Sequence, residues 1–168
     1  MNRRLLATYL NDHYAASVGA VQLARRAAGS NRGTAYGEVL SVLAAEIDED
    51  RQALLLIMQR LSVGPDRVKA ALAWSAEKLG RLKLNGQLSG YSPLSRLEEL
   101  EILSLGVEGK LSMWHALAHA VDGVSEAELE PLIKRGHSQR RRLERQRRDA
   151  AAEAFAGDGS IQNPPADA

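Results

Sequence analysis

Leu40-Ser-Val-Leu-Ala-Ala-Glu-Ile-Asp-Glu-Asp-Arg-Gln-Ala-Leu-Leu-Leu-Ile-Met-Gln-Arg-Leu61 carries a helix-period apolar seam broken at one position. Extended to Tyr36, the seam reads Tyr36, Leu40, Leu43, Ile47, Asp50, Leu54, Ile57, Leu61, at alternating spacings of three and four. That alternation keeps one face of an α-helix turned toward a partner. Asp50 stands where another Leu is expected, so a carboxylate is aimed at the core of whatever this helix joins.

Outward from this stretch the pattern repeats. A first helix is expected over residues 3 to 28, its stripe being Leu6, Leu10, His13, Ser17, Val21, Ala24 and Ala28, with Gly29-Ser-Asn-Arg-Gly33 as the turn. The second helix covers Thr34 to Ser62, and Val63-Gly64-Pro65-Asp66 combines a helix stop with a helix start. A third is expected from Asp66 to Leu84, then a break over residues 85 to 94. A fourth runs from Ser95 to Val121 on the seam Leu97, Leu100, Ser104, Val107, Leu111, Trp114, Ala118, Val121. Ser95 with Glu98, and Ser125 with Glu128, read as capping boxes; the latter opens a fifth helix reaching about residue 154.

Composition agrees with helices. The chain has 168 residues, is 45% apolar and only 4% aromatic, and has no Cys, which excludes disulfides, thiolate metal sites and cysteine nucleophiles. No apolar run approaches the roughly 20 residues that span a bilayer, and Asn11 and Asp12 interrupt the start before a signal-peptide core can form. A cytoplasmic protein is expected. The expected architecture is all-α: an up-down-up-down antiparallel four-helix bundle over residues 1–123, an additional basic helix over 124–155, and a disordered tail over 156–168.

The acid can then be placed by geometry. In an antiparallel hairpin, residues equidistant from the turn lie level. Reflected through the first turn, Asp50 faces His13. Through successive turns it meets Glu77 and then Glu101, while Glu46 falls level with Arg81. Carboxylates and an imidazole on facing helices are ligands for a divalent cation. They also form ion pairs that fix helix register, and the network His13, Asp50, Glu46, Arg81 is the structural counterpart.

At these residues the chain resembles the ferritin-like superfamily of helical bundles, over about residues 3 to 121. The resemblance implies a di-metal carboxylate site with His13, Glu46, Asp50, Glu77 and Glu101 as candidate ligands for iron, manganese or zinc. That family's two Glu-x-x-His motifs are absent: Glu101 is followed three residues on by Ser104, and Glu108 by Leu111. The chain is also similar to a group of small bacterial helical proteins sharing Leu10-Asn-Asp-His13, Gly29-Ser-Asn-Arg-Gly33 and Gly80-Arg-Leu-Lys-Leu-Asn-Gly86, a likeness that implies no activity.

Weaker signals complete the reading. Lys78, Arg81 and Lys83 read as helix C-terminal cations. His115 and His119 have i, i+4 spacing without an adjacent acid motif. No Ser-His-Asp order can be defended, so no catalytic residue is assigned. Residues 134 to 148 hold eight cations against Glu144, which is +7 in a chain of net +1 and leaves −6 on the remainder. Arg140, Arg141, Arg142, Arg145, Arg147 and Arg148 suit an acidic partner. That partner is expected to be a protein surface, either Glu98–Glu101 or Glu46–Asp50 of the same or a neighbouring subunit; nucleic acid is the alternative. The expected function is non-enzymatic, an interaction or structural bundle prone to self-association.

Overall fold

The computed structural model describes residues 1–66 and 91–156. Those residues form four α-helices and no strands: α1 Arg3–Ser30, α2 Ala35–Arg60, α3 Pro93–Ala120 and α4 Glu126–Phe155. The expected third helix, with Glu77, Lys78, Arg81 and Lys83, lies outside the described residues, as does the expected disordered tail beyond residue 156.

Each start has a local cause. Asn2 caps α1 by accepting the Leu5 N–H at 3.2 Å, and Thr34 caps α2 by accepting that of Gly37 at 3.2 Å. Gly37 is obligatory: a Cβ there would lie 2.2 Å from the Asn31 carbonyl oxygen, so only glycine lets α2 begin this close to the turn. The α2 stop differs from expectation. Gly64 does not close it; Ser62 does, at φ 58°, with Val63 N–H donating to Met58 O and Ser62 N–H to Gln59 O. The α3 start also moves. Ser92 is its cap, accepting the Ser95 N–H at 3.1 Å, with Pro93 in the first turn. Ser125 caps α4 as expected, accepting from Glu128 N–H at 3.2 Å, but the Glu128 carboxylate turns instead to Arg60 at 2.9 and 3.0 Å.

Contacts between helices define their order. α1 pairs with α2 and α3 with α4, α1 also packs on α3, and α2 meets α4. Arg25 meets Asp48 while Asn11 reaches Gly64, and Arg96 meets Glu153 while Glu108 meets Arg140, so each of the first two pairs is antiparallel. Along α2 and α4, Arg60 meets Glu128, Asp50 meets Arg135, and Tyr36 meets Glu153, so these two are antiparallel as well. α2 and α3 lie diagonally and point the same way, since Arg96 sits over the Tyr36 ring while Lys110 reaches Asp50. The basic helix, expected as an addition to a bundle of residues 1–123, is therefore the fourth described member of the bundle. Leu129, Gly136, Gln139, Leu143 and Ala150 are its buried stripe.

The core has two parts. One contains Val21, Leu40, Leu43, Ile47, Leu100, Val107, Leu111 and Leu143. The other contains Leu10, Leu54, Ile57, Met58, Met113, Trp114, Leu117 and Leu129. Along α2 the boundary falls between Ile47 and Leu54, and Asp50 occupies it.

A buried polar layer and its adjoining cavity

Asp50 is 2% exposed, as its place on the seam required. A carboxylate at such a position needs donors, because an unpaired buried charge would cost several kcal/mol. Three side chains supply them. Arg135 donates through Nε at 2.7 Å and approaches with its terminal nitrogen at 2.6 Å, Gln139 donates through Nε2 at 3.0 Å, and Lys110 donates through Nζ. Lys110 also donates to Gln139 Oε1, and Arg135 reaches Glu49 at 2.6 Å. The layer is thus a closed ring of α2, α3 and α4 side chains. Burial pushes the Lys110 ammonium below its ordinary pKa, and the Asp50 carboxylate pulls in the opposite direction.

His13 is not the partner of Asp50. It is half-buried on α1, set edge-on to Tyr9 with ring centres 4.6 Å apart, and burial lowers its pKa while Asp12 raises it. The reflection rule assigns neighbours in chain order. Here the donors come from α4, beyond the last turn reflected, and from α3, where successive reflection led to Glu101 and the structure places Lys110 instead. Glu46 pairs with Arg142 of α4, its expected partner Arg81 lying outside the described residues. Glu101 stands on the exposed flank of α3, 3.6 Å from Arg147. The four described candidate ligands therefore do not converge, and among the described residues no three His, Asp or Glu side chains gather as a metal set. His115 is exposed, and its ring centre lies 6.4 Å from that of His137 on α4.

Sequence reasoning missed Lys110, Arg135 and Gln139. A signal for Gln139 existed: Leu129, Gly136, Gln139, Leu143 and Ala150 keep seam spacing inside the basic stretch. The arginines are largely absorbed by the same fold. Arg140 pairs with Glu108 at 2.9 Å, Arg142 with Glu46, Arg147 with Glu144 and Glu101, and Arg148 with Glu144 at 3.1 Å. Arg141 and Arg145 remain exposed beside a shallow groove with Glu101 and Glu108.

A second polar cluster closes the end of the bundle at the α1–α2 turn. Buried Asn31 accepts from Arg96 at 2.7 Å and donates to the Tyr91 hydroxyl at 2.7 Å, and Tyr91 donates to Glu99, which Arg26 also holds. Burial is the first cause pushing the Tyr91 hydroxyl up to about 12.

Behind the mid-bundle layer lies a cavity of about 250 Å³ between α1, α2 and α3. Ala16, Leu105 and Gly106 surround its mouth, and Asp50, Leu54, Val107 and Trp114 are among the buried residues of its wall. Fold and site together define an all-α helical bundle with an ion-paired interior. The chain matches no family model, no curated protein and no solved structure. No helix of the described residues is long and apolar enough to cross a membrane.

Proposed function

We propose that this chain is a ferritin-like bundle acting as a non-catalytic structural and protein-interaction module in the cytoplasm, its interior acids engaged in holding helices in register. The observation that carries this reading is the saturation of Asp50 by Lys110, Arg135 and Gln139. Two cations occupy the level at which a di-metal bundle would place its ions, so the carboxylate is already compensated. The ferritin-like part is supported by helix packing. Four long helices pack together, α1 on α2 and α3, and α4 on α3 and α2, as helices of such bundles do. The interaction part is supported by Ile102 and Leu105 of α3, 46% and 74% exposed beside Glu101 and Glu108.

Elemental analysis of protein purified without a metal-affinity tag tests the non-catalytic reading, repeated on Asp50→Ala. The expected result is no stoichiometric metal in either. Iron, manganese or zinc held in stoichiometric amount and lost in the variant would overturn it. Light scattering over a concentration series tests the interaction reading: self-association weakened by Leu105→Glu is expected. A monomer at every concentration, with no cross-linked partner from cell extract, overturns that part.

A nucleic-acid reading draws on Arg141 and Arg145, exposed and outside the ion pairs of the described residues. Two phosphate contacts would give a log–log salt slope of only about −1.8 on duplex DNA. A slope several times steeper would make this the better reading.

A further inference from the structure

Leu105 is 74% exposed on α3, and Ile102 and Leu94 of the same helix are 46% and 44% exposed. With Glu98 these residues fall on one stripe, at spacings of three and four. The stripe continues toward the end of the helix as Gly109, Ser112, Ala116 and Ala120. Of these, Ser112, Ala116 and Ala120 are exposed, and nothing lies within 4 Å of where a Cβ would stand on Gly109. The first half of the stripe is therefore large and the second half small. Contiguous apolar side chains left in water in this way mark a docking face.

The two halves fit each other. Val107 marks their middle: Leu105 and Gly109 each stand two residues from it, Ile102 and Ser112 five, Glu98 and Ala116 nine, Leu94 and Ala120 thirteen. Residues equidistant from a common centre lie level in an antiparallel pair of helices. A second α3 laid antiparallel about Val107 thus sets every large side chain of one copy against a small residue of the other. The two-fold axis makes each match twice. Parallel pairing would crowd Leu105 on Leu105 and leave Ser112 facing Ser112 across a gap.

Charge agrees with the same axis, which lays the α4 flank of one copy beside that of the other. Arg140 pairs with Glu108 and Arg147 with Glu101, so Arg141 is level with Val107 and Arg145 with Leu103. Arg141 then stands one residue, about 1.5 Å along the helix, from Glu108 of the second copy, and Arg145 three residues, about 4.5 Å. Both arginines are exposed, outside the ion pairs of the described residues, and share a groove with Leu105. Glu108, though held by Arg140, keeps its side chain 55% exposed and can accept a second cation.

We propose that the exposed face of α3 docks on the same face of a second copy of this chain, antiparallel about Val107, with Arg141 and Arg145 of each copy turned to Glu108 of the other. This rests on the interaction reading above and names its partner.

Sedimentation equilibrium of the full-length chain reads the affinity. Ser112→Ile, which crowds Ile102 of the second copy, and Ile102→Ser, which leaves a gap, should each weaken the dimer about tenfold. Ile102→Ser combined with Ser112→Ile again sets large against small and should restore the parent affinity. Both positions are exposed, so the fold tolerates all three variants. Direction is read separately. The chain has no Cys, so His119→Cys gives one exposed site for a nitroxide label, twelve residues from Val107. Pulsed electron spin resonance should place the two labels of a dimer roughly 36 Å apart. A chain monomeric at every concentration overturns the proposal, and the interaction reading then needs a different partner. A dimer with its labels side by side, one that the single variants leave unchanged, or one whose loss the double exchange does not repair overturns the proposal while the interaction reading stands.

Discussion

Between α2 and α4 the polar contacts descend in order: Tyr36 with Glu153, Glu46 with Arg142, Asp50 with Arg135, Arg60 with Glu128. Between α1 and α3, Arg26 meets Glu99 at one end, and below it the facing residues are Ala16, Ser17, Ala20, Gly106 and Gly109, enclosing the cavity. The two seams solve one geometric problem differently. Long arginine stems of α4 bridge to the acids of α2, burying methylene surface as they do so. Small residues cannot bridge, and the gap beside α1 stays open. One seam is therefore bridged by ion pairs, the other lined by small residues beside the cavity.

The largest effect should come from breaking the bridged seam. Asp50→Ala leaves Lys110 and Arg135 buried near each other without their anion, and a loss of about 3–5 kcal/mol in denaturant unfolding is expected. Replacing the layer together, Asp50→Leu with Lys110→Met and Arg135→Met, should recover most of that loss, since paired apolar groups remove the desolvation penalty. If the single variant loses under 1 kcal/mol, the layer is not holding the helices. The depressed pKa of Lys110 adds a sign. Between its folded value and 10.5 the unfolded chain holds a proton that the folded chain has released, so stability rises with pH through that window. Lys110→Met should remove that rise.

Glycines give the next contrast. Gly136 of α4 lies against Leu111, where a Cβ would fall 2.7 Å from Cδ2 and 3.0 Å from Cγ. Gly136→Ala should destabilise by about 1–3 kcal/mol through overpacking, read from the same unfolding curves. Gly109 borders open space, so Gly109→Ala should stabilise by about 0.5–1 kcal/mol through helix propensity alone. Opposite signs at two helix-interior glycines would confirm that the α3–α4 contact is close-packed where the α1–α3 seam is open. Equal signs would break the comparison.

How much of this was legible follows from what period and reflection can reach. The α2 seam was readable residue by residue: of its eight expected positions, only Leu61 is not among the buried ones. The buried acid was readable for the same reason, because a carboxylate at seam spacing has nowhere else to point. Its partners were not. Lys110 follows Val107 by three on α3, yet a lysine beside a seam reads as a surface residue until the diagonal helix is known to lie within reach. Arg135 and Gln139 were hidden by composition, since a stretch of eight cations reads as solvated, while Leu129, Leu143 and Ala150 bury one side of it. The cavity was illegible in principle, because small residues on a helix face permit close packing as readily as a void.

The smallest effect concerns His13, which lines the cavity beside the small-residue seam. Burial is the larger influence on its pKa and lowers it from 6.5, with Asp12 opposing. The unfolded chain then takes up a proton at 6.5 that the folded chain refuses until lower pH. Stability attributable to His13 is complete above 6.5 and is lost as pH falls from 6.5 through the folded value, below which the lost increment is constant. Unfolding free energies of the parent and of His13→Asn should therefore diverge between about pH 7 and pH 5, the parent falling more steeply. Ala16→Leu, by narrowing the cavity beside His13, should remove more water from the imidazole and extend the divergence to lower pH. Parallel curves for parent and His13→Asn would mean that water reaches the imidazole freely, and that the α1–α3 cavity is wetter and more open than its apolar walls imply.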